Sequence, residues 1–286
     1  LDAEGQSQLA RRSAFRQKLP GGQPAKVEEP GSATSYAWLY TGLDGMAPYN
    51  IFHWSLTHQN SVIDGHLAAF HGTFVGDAAG ANARLEARSG GRIRHSSCNA
   101  HARREFLRAE SSEPVLASQM RSFYRQLYGV EERAKLLNAA GRLELRQRDS
   151  GPIWDRIARW LETDQVKRVL PQSALGKAIG YMRNQWSALR VYLSDGRLPI
   201  DNDQSEQTIR PLTVGRNNWL FLGHPHDASG RLQLFSIVSS AHRHHLVMQD
   251  YLKDVLKKLA DAKQNHPVDL EIGSRYLLDL LPDRWA

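Results

Sequence analysis

The sequence has very little cysteine and no long apolar run. Its one cysteine, Cys98, cannot form an internal disulfide and cannot by itself build a zinc site. No stretch of about eighteen apolar residues is present, which excludes a typical transmembrane helix. The residues after Leu1 lack the basic patch and apolar segment of a signal peptide. These absences predict a protein of a reducing compartment, the cytoplasm, with no membrane contact.

Composition and charge indicate a folded, basic protein. The 286 residues are 41% hydrophobic, which is enough for a full core and suits one large domain or two small ones. There are 37 Lys and Arg against 30 Asp and Glu, so the net charge is +7 and the sequence pI is about 9.6. A surplus of this sign favours anionic partners.

The positive surplus lies in the middle of the chain. Residues 101–200 carry 18 Lys and Arg against 11 Asp and Glu, whereas the two flanking parts have net charges of +1 and −1. The arginines recur among helix-forming residues: Arg103, Arg104, Arg108, Arg121, Arg125, Arg133, Arg142, Arg146, Arg148, Arg156 and Arg159. One interpretation is an ordinary solvated helical face. The other is a surface that neutralises phosphates and releases their counterions.

The first hundred residues predict a short linker followed by a mixed α/β sheet. Residues 1–34 are rich in Gln, Gly, Pro and Ser and show no apolar periodicity, which is typical of a linker or mobile loop. Two aromatic runs, residues 36–40 and 50–56, predict neighbouring strands. A helix near residues 62–70, a strand at 73–75, a helix from about 80 to 88 and a strand at 93–98 follow, giving the order β-β-α-β-α-β.

The rest of the chain is predicted to be mainly helical. Apolar positions recur every three or four residues from 101 to about 193. A new helix is predicted to begin at Asp201 as N-cap, with Gln204 in the capping-box position. A strand is predicted at Trp219–Leu222, where Trp219 suits an apolar core better than base stacking. Helices at 234–241 and 249–259 complete the pattern.

Two carboxylates are candidates for metal chemistry on phosphodiesters, which uses hard oxygen ligands and two divalent ions roughly 4 Å apart. Asp77 follows a glycine at the end of a predicted strand, and Glu206 lies one turn into the helix predicted from Asp201. Each has a plainer interpretation. Asp77 suits a turn or cap, and Glu206 suits a surface pair with Arg210 four residues later.

Several separate blocks of the sequence resemble transposases of the insertion sequence 66 family. They occur in order from about Ser35 to Trp285: CNAHARREF (98–106), NQW (184–186), GRLPIDNDQSEQTIRP (196–211), VGRNNWLF (214–221), YLKDVL (251–256) and LLPDRW (280–285). The first block resembles the family's segment after its second catalytic aspartate. The third resembles the segment that carries its catalytic glutamate.

The resemblance implies an RNase H-like core with an Asp, Asp, Glu (DDE) triad that cuts and joins DNA strands. By position, Asp77 matches the second aspartate and Glu206 matches the glutamate, with two Mg²⁺ ions as cofactors and Mn²⁺ as a substitute. The flanking arginines would contact DNA phosphates or form internal salt bridges: Arg103, Arg104, Arg210 and Arg216. The implied partners are double-stranded DNA, as transposon ends and target, and further copies of the chain assembled on it.

This resemblance defines an expected organisation. Residues 1–34 form the linker, 35–100 the first part of the core and 101–195 a basic helical insertion. Residues 196–235 hold the glutamate helix and the end of the core, and 236–286 a helical C-terminal segment. The family's first aspartate belongs to a first strand with an Asp-Thr-Pro-like motif. No such strand is expected before Tyr36, and Asp2 has none around it, so we expect the chain to begin downstream of that residue.

Two alternatives stay open from the sequence. One is a non-catalytic DNA-binding remnant of a transposase, which the coding sequence immediately upstream of Leu1 would distinguish from a truncated enzyme. The other is an RNase H-like nuclease that uses the same carboxylates and cleaves DNA without joining it. The C-x-x-H spacing of Cys98 and His101 has no second pair nearby, so a structural zinc is not expected. His101 is expected to order the active-site edge or to cap its helix.

A strand-transfer assay tests the expected missing aspartate. The purified 286-residue chain, incubated with Mg²⁺ and end-bearing DNA, is expected to give no joined product, because two carboxylates of the triad are not sufficient. Measurable joining by this chain would contradict the expectation.

Overall fold

The computed structural model describes residues 8–20, 32–42, 48–57, 59–78, 82, 84–218, 225–265 and 280–285. The strands are β1 (Gln8–Pro20), β2 (Ser32–Gly42), β3 (Asn50–Ser55), β4 (Gly72–Gly76) and β5 (Ile93–Ser97). The helices are α1 (Asn60–His66), α2 (Leu85–Arg88), α3 (Asn99–Ala109), α4 (Pro114–Ala134), α5 (Ala139–Leu145), α6 (Gly151–Leu161), α7 (Asp164–Lys167), α8 (Ala174–Asn184), α9 (Trp186–Leu189), α10 (Asp203–Asn218), α11 (Pro225–Arg243) and α12 (Met248–Asn265). A π-helical turn, Arg146–Ser150, joins α5 to α6.

The described residues fall into two compact units. The first takes in the described parts of Leu1–Arg12 and Gln59–Gln204, and the second those of Ser13–His58 and Ser205–Ala286. The fold class is mixed α/β, as the sequence predicted. Across the described residues, no helix combines the length and the apolar character needed to cross a bilayer.

Parallel strands form the sheet of the first unit. Residues Gln8 to Arg11 of β1 pair with β4, and β4 pairs along its length with β5. The interior strand β4 therefore has a neighbour on each side, and its Phe74 and Val75 are fully buried. Short apolar runs of this kind suit a strand that is covered on both faces. The predicted strands at 73–75 and 93–98 are confirmed.

The structure corrects the linker prediction for residues 1–34. Gln8–Pro20 is a strand, and β2 begins at Ser32. The expectation that no strand precedes Tyr36 was therefore wrong. The segment lacks apolar periodicity, but a strand is also stabilised by its ladder with a neighbour, and here the partner β4 lies far along the chain.

Two helix predictions needed smaller corrections. The helix expected from about 80 to 88 is reduced to the single turn α2, and α10 begins at Asp203 instead of directly after Asp201. Asp201 still acts near the helix start, because its Oδ1 accepts a hydrogen bond from the backbone N–H of Asp203 at 3.2 Å. The strand predicted at Trp219–Leu222 lies outside the described residues.

The helices α3 to α9 pack around their own aromatic core. Trp154 and Tyr192 are fully buried, and the indole N–H of Trp154 donates to the Tyr192 hydroxyl at 3.1 Å. Large buried side chains of this kind stabilise the fold by about 1.5–3 kcal/mol each. The helical periodicity from residue 101 onward is confirmed.

In the second unit, helix α11 covers the outer edge of β3. Strand β3 pairs antiparallel with β2 on its other side. The Ser236 hydroxyl accepts from the Phe52 N–H at 2.8 Å, and the Ser240 hydroxyl accepts from the Asn50 N–H at 3.0 Å. Four helical residues rise about 6 Å, close to the spacing of two strand residues, so the serines match alternate peptides of β3. The edge is therefore closed to other strands.

Replacing these serines tests the edge contact. Ser236→Ala and Ser240→Ala should each lower the free energy of unfolding by about 1–3 kcal/mol, because buried peptide groups of β3 lose their partners. Urea unfolding followed by circular dichroism measures the change. Ser229→Ala, at an exposed position of the same helix, is the control and should stay within about 0.5 kcal/mol of the parent. A double variant as stable as the parent would contradict this account.

Candidate active site

Asp77 lies directly after β4, at the carboxyl end of an interior parallel strand. Its Oδ1 accepts a hydrogen bond from Asn82 Nδ2 at 2.6 Å, and its backbone carbonyl accepts from the same amide nitrogen at 3.0 Å. Asn82 is buried, with 3% of its surface exposed. The Asp77 carboxylate is thus held in a fixed orientation by a residue that the sequence analysis did not single out.

Gly76 makes room for this contact. A Cβ at this position would lie 2.8 Å from Cε1 of Phe74 and 3.2 Å from Nδ2 of Asn82. Any larger residue would therefore push against the amide that orients Asp77 or against the core ring beside it. The glycine before Asp77 is a packing requirement of the site.

The turn at Cys98 and Asn99 connects the strand ends to the residues before α10. The Cys98 N–H donates to the carbonyl of Gly76 at 2.8 Å. The Asn99 side-chain amide donates to the carbonyls of Leu189 and Ile200 at 2.9 and 3.1 Å, and its backbone N–H also donates to Ile200 at 3.1 Å. Ile200, which precedes α10 in sequence, is thereby held next to the turn that follows β5, within the first unit. This turn and the end of β4 are called the site edge below.

Cys98 lies in this turn as a buried, neutral thiol. Its Sγ accepts from the backbone N–H of Asn202 at 3.5 Å. Burial raises the pKa of Cys98 to about 12, so the thiol stays protonated near neutral pH. A protonated thiol is a poor metal ligand, which agrees with a structural role for this residue.

A second polar connection reaches Asp201 from α4. The Tyr128 hydroxyl donates to Asp201 Oδ2 at 2.9 Å, and burial together with this carboxylate raises the pKa of Tyr128. The guanidinium of Arg103 lies over the Tyr128 ring, 5.5 Å from its centre. Arg103 and Arg104 are both exposed near the start of α3, where phosphates could reach them.

Glu206 and Arg210 belong to the second unit, on α10. Glu206 is half-buried and Arg210 is exposed. Ile209 and Leu212 of the same helix pack into a core with Leu39 of β2. Arg216 is also part of α10, but its side chain lies outside the described residues. Asp77 and Glu206 fall in different units, so their joint action stays a prediction.

Much of the positive charge on the helices is neutralised locally. Ion pairs connect Arg108 to Glu105, Arg121 to Glu110, Arg133 and Arg148 to Asp149, and Arg146 to Glu131. These contacts favour the plainer interpretation, a salt-bridged helical face, for the arginines concerned.

The donor chemistry of Asp77 fits a hard divalent cation, because an oriented carboxylate at a strand end is a typical Mg²⁺ ligand. Within the described part of the chain, no group of three or more His, Cys, Asp and Glu side chains is positioned to bind a metal. The described residues therefore do not provide three such ligands around Asp77.

The fold and the site together define the class of protein. It is a mixed α/β protein in which the side-chain amide of Asn82 orients the Asp77 carboxylate at the end of an interior parallel strand. The chain belongs to the transposase IS66 family, whose model matches residues 23–230.

Three proteins of Sinorhizobium fredii strain NGR234, each named as uncharacterized, are similar to this chain. The protein y4hP is 29% identical over 201 residues, y4jD 30% over 203 and y4qI 27% over 247. The alignments cover 66%, 68% and 82% of this chain. They cover 34%, 39% and 46% of the relatives, so the chain spans less than half of their length.

Substitution of Gly76 tests the packing at the site. Gly76→Ala should lower the free energy of unfolding by about 1–3 kcal/mol, because the added methyl group overpacks Phe74 and Asn82. Gly65→Ala in α1 is the matched control. Nothing lies within 4 Å of its Cβ position, so it should stabilise by roughly 0.5–1 kcal/mol through backbone entropy. Equal effects of the two substitutions, measured by urea unfolding, would refute the packing requirement.

Proposed function

We propose that this chain is part of a DDE transposase that cuts and joins DNA strands of an insertion sequence on an RNase H-like core. The observation that carries the proposal is the Asp77 carboxylate, which Asn82 orients at 2.6 Å at the end of an interior parallel strand in a member of a transposase family. RNase H-like cores hold one of their metal-binding carboxylates at such a strand end.

In this proposal Asp77 and Glu206 hold the metal, and Asn82 keeps the Asp77 carboxylate oriented toward it. Two Mg²⁺ ions, or Mn²⁺ in their place, would stabilise the charge on the attacking and leaving oxygens of the phosphodiester. The hydrogen bonds at Asn99 support the assignment of Glu206. They fix residue 200 at the same site edge, three residues before the helix that carries the glutamate begins.

The proposed DNA contacts are electrostatic. Arg103 and Arg104 are exposed on α3, close in sequence to the turn at the strand ends, and Arg210 is exposed on α10. Arg216, on the same helix, completes the set by family resemblance. Guanidinium groups suit phosphates because they donate two parallel hydrogen bonds. Residues 101–195 would form the basic helical insertion, and several copies of the chain would assemble on the transposon ends.

Metal titration tests the carboxylate assignment without requiring catalysis. Binding of Mn²⁺ to the 286-residue chain, followed by calorimetry or electron paramagnetic resonance, should weaken about tenfold or more in Asp77→Asn and in Glu206→Gln, since each removes a charged ligand. Asp155→Asn in the first unit and Asp250→Asn in the second are controls at exposed aspartates, and both should bind Mn²⁺ like the parent.

Each outcome of the titration is informative. Loss of binding in only one of the two variants would refute a shared metal site. Unchanged binding in both would refute the catalytic assignment and leave a DNA-binding remnant as the better description. For the active protein, cleaved DNA without joined product would indicate a nuclease.

A further inference from the structure

A cleft of about 980 Å³ opens in the first unit beside Asp77. The α2–β5 region forms one side of it and the α8–α9 region the other. Its lining includes Ala78, the residue directly after Asp77. The lining residues with functional side chains include Arg84, Glu86, Arg94, His95, Arg183 and Trp186. A volume of this size is at the upper end of the range for ligand-binding sites.

The charge of the cleft favours an anion. Three arginines line it against one glutamate, Glu86. Arg94 donates to the Ser194 hydroxyl at 3.1 Å and Arg183 to a backbone carbonyl at 2.8 Å, and among the described residues no carboxylate forms an ion pair with Arg84, Arg94 or Arg183. Each guanidinium has five donors, so most of them stay available for a ligand. This distinguishes these arginines from those that α3 and α4 pair with acids.

Two further features of the lining are typical of a binding site. The Nε2 of His95 is buried and lacks a hydrogen-bond partner of normal geometry within the described part of the chain. Arg84 adopts a left-handed backbone conformation with φ of 59°, which is unfavourable for a residue with a side chain and recurs at functional sites.

We infer that this cleft binds the sugar-phosphate backbone of a DNA strand next to the phosphate that is cut. Because the cleft begins at Ala78, a strand whose reacting phosphate lay at Asp77 would continue past His95 toward Arg94. Arginines without acidic partners would contact successive phosphates along this path. The inference rests on the proposed function, since it takes Asp77 as the reacting centre. A free nucleotide shares the phosphate chemistry, and the experiment separates the two.

The first experiment measures binding of a short fluorescein-labelled DNA oligonucleotide, single-stranded or duplex, to the 286-residue chain. Arg84→Gly combined with Arg94→Ser should weaken binding about tenfold. The plot of log K against log salt should also become less steep, by about 1.4 for the single strand or about 1.8 for the duplex. Arg84→Gly also relieves the left-handed backbone, so this substitution is not expected to unfold the chain.

The matched control removes the same charge elsewhere in the first unit. Arg125→Ser combined with Arg168→Ser changes exposed arginines that do not line the cleft, and binding should change less than about twofold. Equal losses in the two double variants would show only a general charge effect and would overturn the inference. Displacement of the oligonucleotide by an equal concentration of deoxynucleoside monophosphate would overturn it as well.

Cross-linking gives a second, independent readout. Cys98 is the only cysteine and is buried with a raised pKa, so an introduced thiol would be the reactive one. Ser187→Cys, in the cleft, should cross-link to an oligonucleotide that carries a thiol-reactive group on one phosphate. Ser122→Cys, exposed on α4, should not.

The outcomes separate the inference from the proposed function. If the parent chain binds DNA but the cleft variants bind equally well and Ser187→Cys does not cross-link, the inference is wrong and the proposed function stands. If the parent chain binds no DNA at all, both are wrong.

Discussion

The buried guanidinium of Arg146 organises the helical part of the first unit. It lies in the π-helical turn, with 3% of its surface exposed, and forms a two-point ion pair with Glu131 of α4. Its Nη1 donates to the carbonyls of Tyr192, Asp195 and Leu198 at 3.2, 3.3 and 2.8 Å. A buried charge is tolerated only when its donors are satisfied, so the chain from 192 to 198 must follow the path that these carbonyls require.

That path determines how the chain approaches α10. Gly196 passes so close to the carbonyl of Ala139 that a Cβ would overlap it, and Asn99 then binds the carbonyl of Ile200. Buried polar groups thus set the position of the chain at two successive points before the helix that carries Glu206. At the end of β4, Asn82 orients Asp77. Side-chain amides, which are neutral and make directional hydrogen bonds, therefore hold the edge of the site in place.

Charge is distributed unevenly over this framework. Several arginines of the helical region form ion pairs with nearby acids, among them Arg108, Arg121 and Arg133. The arginines of the cleft beside Asp77 have no such partners among the described residues. The cleft is therefore one place in the described part of the first unit where positive charge is left without acidic partners.

The sequence by itself determined the mixed α/β class, the buried strands β2 to β5, the helical stretch after residue 101 and the family, because these depend on local periodicity and on residues in recognisable order. It also pointed to Asp77 and Glu206 through that order. Only the tertiary structure decided that Gln8–Pro20 is a strand, that Asn82 and Asn99 hold the site edge and which arginines are paired. The pairing of that strand with β4 and the hydrogen bonds of Asn99 join residues that are distant in sequence, and such contacts leave no periodic pattern in the chain. The Asn82 contact to Asp77 spans only five residues, but it belongs to a loop and follows no helix or strand period.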